Sequence, residues 1–140
     1  MEYGCGCLVK RARVRLCIAY PTRLCVSRLV WQECAAGDPA AAERRLSVLE
    51  GLSLLVLSEQ AVAIAKDLVT ENILPRKAVE DALHIAAATV HGMDFLLTWN
   101  CKHIANPIIQ ESIAAYLAPK GLFLPFICTP EELLGADNDE

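Results

Sequence analysis

Residues 79–106 read VEDALHIAAATVHGMDFLLTWNCKHIAN, and the succession of patterns inside them decides the fold. The pattern begins slightly earlier, at Pro75, and ends at Gly92. Between these, Ala78, Val79, Ala82, Leu83, Ile85, Ala86, Ala87 and Val90 cover more than one stripe of a helix, so the helix should be largely buried. Phe95 to Trp99 follows as a strand with no polar side chain before Thr98. A run without alternation suits the interior of a parallel sheet covered on both faces. The strand then runs into the polar cluster Asn100-Cys101-Lys102-His103.

The same alternation extends in both directions. Leu24-Cys25-Val26 is a short strand candidate, and Ser27 is placed to cap a helix from about Arg28 to Ala36 that Gly37 stops. Asp38-Pro39 opens a further helix reaching Gly51. LSLLVL at 52–57 reads as a second strand, and Ser58 caps a helix that Asn72 ends. Beyond the central stretch, Pro107 starts a helix to about Leu117. LFLPFI at 122–127 is then a strand whose Pro125 assigns it to a sheet edge. Thr129-Pro130-Glu131-Glu132 makes a capping box. Strands alternating with helices in this way predict an α/β domain with a mainly parallel sheet. Residues 1–23 fit neither period.

The chain's 140 residues, 54% of them hydrophobic and 21% charged, suit one globular domain. No apolar run is long enough to span a bilayer, and the basic N-terminus lacks the apolar block of a secretory leader. The expectation is a cytoplasmic protein that does not engage a membrane. Seven cysteines, at 5, 7, 17, 25, 34, 101 and 128, show no Cys-x-x-Cys spacing. They read as reduced thiols filling core gaps, not as zinc ligands. Charge divides unevenly: residues 1–32 hold six basic side chains and one acid, Glu2, while the remaining chain holds seven basic and sixteen acidic ones. The basic segment is either a phosphate-binding arm or the solvated flank of a terminus.

Open parallel sheets form sites beyond the carboxyl ends of their strands. That rule selects Asn100, which follows the last strand residue, over Asp94, which begins the strand. Glu33 lies on a helix among Val30, Trp31 and Cys34, and Asp81 lies among Ala78, Ala82, Ile85 and Ala88. A carboxylate in apolar surroundings is costly unless paired or bound to a cation. Glu80 points about 100° away from Asp81 and should be solvated. His84, one turn after Asp81, is within reach as its partner. Lys102 and His103 read either as phosphate contacts or as the solvated start of a helix.

Taken together, residues 79–106 closely resemble the signature region of PIN-domain proteins, especially bacterial relatives of VapC-type toxins. LCVSRLVWQECAAGDPAAAERRL at 24–46 resembles the segment bearing that family's second acid, and GLFLPFICTPEELL at 121–134 its closing strand and helix. The resemblance implies a PIN-like three-layer α/β/α domain over 24–134, between an atypical basic segment, 1–23, and an acidic tail, 135–140. It also implies a metal-dependent endoribonuclease of toxin–antitoxin type that hydrolyses RNA phosphodiester bonds. Glu33 and Asp81 would hold Mg²⁺ or Mn²⁺, Asn100 would complete the catalytic group, and His84, Lys102 and His103 would support ligands or touch phosphate. An antitoxin protein and a homodimer are the implied partners besides RNA.

The departure is at the front. The family's central first strand ends in an acid of the metal site, and nothing in residues 1–23 supplies one, so the N-terminal strand is missing or altered. With two acids the metal would be weakly held. The alternative is therefore an impaired PIN-fold module that binds RNA or an antitoxin-like protein without cutting.

Overall fold

The computed structural model describes residues 16–19, 23–98, 104, 106–129 and 132. Five strands form one sheet: β1 (Leu16–Ala19), β2 (Arg23–Ser27), β3 (Ser53–Leu55), β4 (Phe95–Leu97) and β5 (Phe126–Cys128), in the order β3-β2-β1-β4-β5. β2 pairs parallel with β3, and β4 pairs parallel with β5. β1 sits between the two pairs and is antiparallel to both β2 and β4. Four strands therefore share one direction, and the central one is reversed.

The reversal has a simple cause. Only three residues separate β1 from β2, a length that closes a hairpin but not the crossover of a dozen or more residues that a parallel pair needs. The sequence reading assigns no strand to residues 1–23, yet Leu16-Cys17-Ile18-Ala19 forms the middle of the sheet. Four residues are too few to display a period against the irregular composition around them.

Five helices are delimited among the described residues: α1 (Arg28–Ala35), α2 (Pro39–Leu49), α3 (Glu59–Thr70), α4 (Val79–Val90) and α5 (Pro107–Leu117). Three of their starts, after Ser27, Asp38 and Ser58, are those the capping residues predict. Ser27, Asp38, Ser58 and Asn106 each accept a backbone N–H of the first turn through the side chain. Asn72, just past α3, takes φ 60°, the left-handed conformation in which asparagine replaces glycine at a helix end. The helix expected from Pro75 begins instead with a 3-10 turn, Arg76–Ala78, before α4 proper. Proline fixes its own φ and lacks an N–H, so the tighter turn lies between it and the regular helix.

The strands are shorter than their apolar runs. β5 starts only at Phe126, because Pro125 has no N–H to give the ladder; the Phe126 N–H donates to the Asp94 carbonyl at 2.9 Å. β5 lies at the sheet edge, as Pro125 predicts. After it, the Thr129 hydroxyl accepts the Glu132 N–H and the Glu132 carboxylate accepts the Thr129 N–H, a reciprocal capping box.

Alternate residues of β2 enter different cores, as strand geometry requires. Cys25 joins a cluster built from α3, α4, α5 and β4, including Leu68, Ile85, Leu96 and Ile113. Val26 joins a smaller one with Val30 and Cys34 of α1 and Leu49 of α2. The alanines of α4, fully buried at Ala82, Ala86 and Ala88, carry little side-chain bulk between this helix and its neighbours.

Candidate functional site

The directions of the chain define which edge of the sheet could carry chemistry. β2 ends at Ser27, and α1 leaves at once from that end. α4 returns toward the start of β4, since only four residues separate Val90 from Phe95. The first turn of α4 therefore lies at the level where the four co-directional strands end. Asp81 is in that first turn, and Glu33 is in the second turn of α1.

α1 and α4 meet through these residues. Glu33 Oε2 lies 3.7 Å from His84 Nε2, within reach of an ion pair if the imidazole is protonated but too far for a hydrogen bond. Glu33 Oε2 is itself buried and, among the described residues, accepts no hydrogen bond. The rest of the Glu33 side chain keeps a path to solvent, at 20% exposure against 2% for His84. Asp81 is buried and its neighbour Glu80 exposed, as the 100° separation predicts. A carboxylate in the first turn also lies at the positive end of the helix dipole.

α1 is held in place from its far end. Arg45 Nε donates to the Cys34 carbonyl at 3.1 Å, and its Nη2 donates to the Ala36 carbonyl. A guanidinium here satisfies last-turn carbonyls and complements the dipole. Burial pushes the adjacent Cys34 thiol up from its ordinary range, with Arg45 opposing and Glu33 reinforcing that shift.

The candidates do not all appear together. Glu33 and His84 are in contact, and Asp81 stands one turn before His84 on the same helix. Asn100, Lys102 and His103 lie outside the described residues. Among the described residues, no group of three or more His, Cys, Asp or Glu side chains is close enough to hold a metal. The reversed β1 places Leu16, not an acid, beside Val26 and Leu97 at this edge. Two buried hydroxyls, Ser27 and Thr98, occur at the ends of β2 and β4. Sequence reasoning treats Ser27 as a cap and Thr98 only as the end of an apolar run; a hydroxyl closing a buried strand was the available signal.

A separate groove of about 830 Å³ lies between α5 and the 122–127 segment, lined by Ile108, Glu111, Phe123 and Phe126 among others. It contains none of the candidate residues. Among the described residues, no helix is long and apolar enough to cross a membrane. No protein-family model, curated protein or solved structure matches this chain.

Proposed function

We propose that the chain is a PIN-like module, a cytoplasmic relative of VapC-type toxins, that hydrolyses RNA phosphodiester bonds with Mg²⁺ or Mn²⁺. The observation carrying this reading is the Glu33–His84 approach. It brings together α1 and α4, which are far apart in sequence and bear the two acids the resemblance selects. The four co-directional strands and the separate cores entered by Cys25 and Val26 support a PIN-like three-layer α/β/α arrangement. An antitoxin protein and a second copy of the chain are the further partners this reading carries.

The donor set fits a lightly held ion only. Among the described residues Glu33 Oε2 is a buried carboxylate oxygen without a hydrogen bond, and hard divalent cations prefer carboxylate oxygens. Magnesium commonly takes one or two carboxylates and fills its remaining positions with water and substrate phosphate. Glu33 and Asp81 would be those carboxylates. When bound, such an ion supplies Lewis acidity toward the phosphoryl oxygens. The chain's own part is to hold the two carboxylates at one edge and to restrict water around Glu33 Oε2. In this reading Asn100, following β4, would orient water or touch phosphate without adding charge.

One observation favours the second reading, an impaired module that binds without cutting. The strand at the centre of the sheet is reversed, so its carboxyl end points away from the candidate edge. An acid at that end would not reach Glu33 and Asp81. The experiment is Mg²⁺- or Mn²⁺-dependent RNA cleavage by the full chain, compared with Asp81→Ala and Glu33→Ala. Cleavage that both substitutions abolish supports the hydrolase. Cleavage that neither reduces overturns the site. Absent cleavage with retained RNA binding supports the second reading.

A further inference from the structure

We propose that Cys17 and Cys25 form an oxidisable cross-strand pair whose disulfide fastens the central strand to β2. The inference stands on backbone register and is independent of the ribonuclease reading. β1 and β2 are antiparallel, and Cys17 lies directly opposite Cys25. Directly opposed residues on an antiparallel ladder have Cα atoms about 4.5 or 5.5 Å apart, in alternation. Both separations fall within the roughly 4.4–6.8 Å that disulfides span. The register thus satisfies the Cα criterion for a cross-link.

The position gives the cross-link its consequence. β1 alone joins the parallel pair β2–β3 to the parallel pair β4–β5. Cys17 is opposite Cys25 on one side and Leu96 on the other. Cys25 is fully buried, in the core shared with α3 and α4, and stands three residues before α1, which carries Glu33. A bond at this point ties the strand that closes the sheet to the strand that launches α1. With both thiols reduced, β1 is held by its ladders to β2 and β4.

The chemistry needs an oxidant of the low-molecular-weight disulfide class, such as oxidised glutathione. One cysteine thiolate attacks the oxidant's disulfide and releases one small thiol, leaving a mixed disulfide. The other cysteine's thiolate attacks the protein sulfur of that mixed disulfide and releases the second small thiol. The protein loses two electrons and two protons, and the oxidant is reduced to two thiols. Because Cys25 is buried, exchange proceeds through local opening of the hairpin.

The test exploits a convenience of the sequence. Arg15, Arg23 and Arg28 let trypsin release residues 16–23 and 24–28 separately, each with one cysteine. The full chain is incubated natively with oxidised glutathione, quenched with acid, alkylated and digested without reductant. The expected result is that a disulfide-linked 16–23/24–28 species is the dominant intramolecular link. Its yield should exceed, at least about tenfold, that from the chain unfolded in guanidinium. Oxidation should also raise Tm by roughly 5 °C, the scale expected for closing a short loop. Cys17→Ser should abolish this rise, while Cys34→Ser should keep it. Cys17 and Cys25 both recovered alkylated, joined to other cysteines, or linked no more in the folded than in the unfolded chain would each overturn the proposal. So would an equal Tm rise in Cys17→Ser. If Cys17→Ser fails to fold, the peptide map of the unsubstituted chain decides alone.

Discussion

Glu33 on α1 and His84 on α4 face each other with 3.7 Å between Oε2 and Nε2, and among the described residues this carboxylate oxygen receives no hydrogen bond. A buried carboxylate oxygen left in this state contributes little to folding and loses hydration.

Replacing the charge should therefore separate stability from activity. Glu33→Gln keeps the shape and removes the ionic desolvation cost, so the urea midpoint should correspond to a change within about 1 kcal/mol, of either sign. On the proposed function, Mg²⁺-dependent RNA cleavage should fall at least about tenfold, the lower bound for loss of even an outer partner of a metal ligand. A variant destabilised by several kcal/mol would mean that Glu33 is an internal structural group instead.

Tyr116 supplies a pH prediction. Its hydroxyl donates to Asp67 Oδ2 at 2.6 Å, joining α5 to α3, and the Lys120 ammonium stands 4.9 Å from its ring centroid. Burial, then the Asp67 hydrogen bond and the Asp67 and Glu71 charges, raise the phenol above its ordinary range. The neutral form is thus favoured in the folded state. Its contribution is fully present below the unfolded phenol's pKa of about 10 and is lost as pH rises from there toward the raised folded value. Tyr116→Phe should cost about 1 kcal/mol at neutral pH. The advantage of the unsubstituted chain, measured by denaturant titration, should shrink above about pH 10.

Thiol reactivity should follow burial. Cys34 is buried and its thiol is pushed up by desolvation, while Cys128 on the edge strand is only half-buried. The thiolate is the reacting species. Alkylation of the native reduced chain, followed by peptide mapping, should modify Cys128 at least about tenfold faster than Cys34. Equal rates would indicate that α1 and α2 open readily over the smaller core.

What was legible in the sequence follows from how locally each feature is encoded. The helix starts at Ser27, Asp38 and Ser58 are short-range hydrogen-bond preferences, and all three hold. The edge position of β5 depends on one missing N–H, at Pro125, and also holds. The burial of Asp81 and exposure of Glu80 follow from helical angle alone. The direction of the central strand is different. It depends on a three-residue connection and on which partners accept Leu16–Ala19, and both facts are tertiary. The approach of Glu33 to His84, more than fifty positions apart, has likewise no local signature. A fold resemblance could bring their helices together, but not supply the distance.

The central strand can be tested by breaking its ladder. Ile18 is opposite Leu24 on β2 and Phe95 on β4, so β1 uses both edges. Proline removes one N–H and fixes φ where a strand needs extended backbone, and it is tolerated in sheets only at edges, strand starts or bulges. Ile18→Pro should therefore destabilise the chain by about 3 kcal/mol or more, read as a lowered urea midpoint. Native-state hydrogen exchange should show protection lost first in β2 and β4, the two strands that β1 joins. The pairing of β4 with β5 should survive longer, because the Thr98 N–H to Cys128 carbonyl bond, 3.0 Å, does not involve β1. Phe126→Pro is the contrasting substitution. It lies at the sheet edge, but its N–H donates inward to Asp94, so it should weaken the β4–β5 pair and leave β1–β2 protection intact. If Ile18→Pro leaves stability and protection unchanged, Leu16–Ala19 does not hold the centre of the sheet in solution. Its place is then vacant or taken by another segment, and the parallel pairs are joined by the helices packed on them.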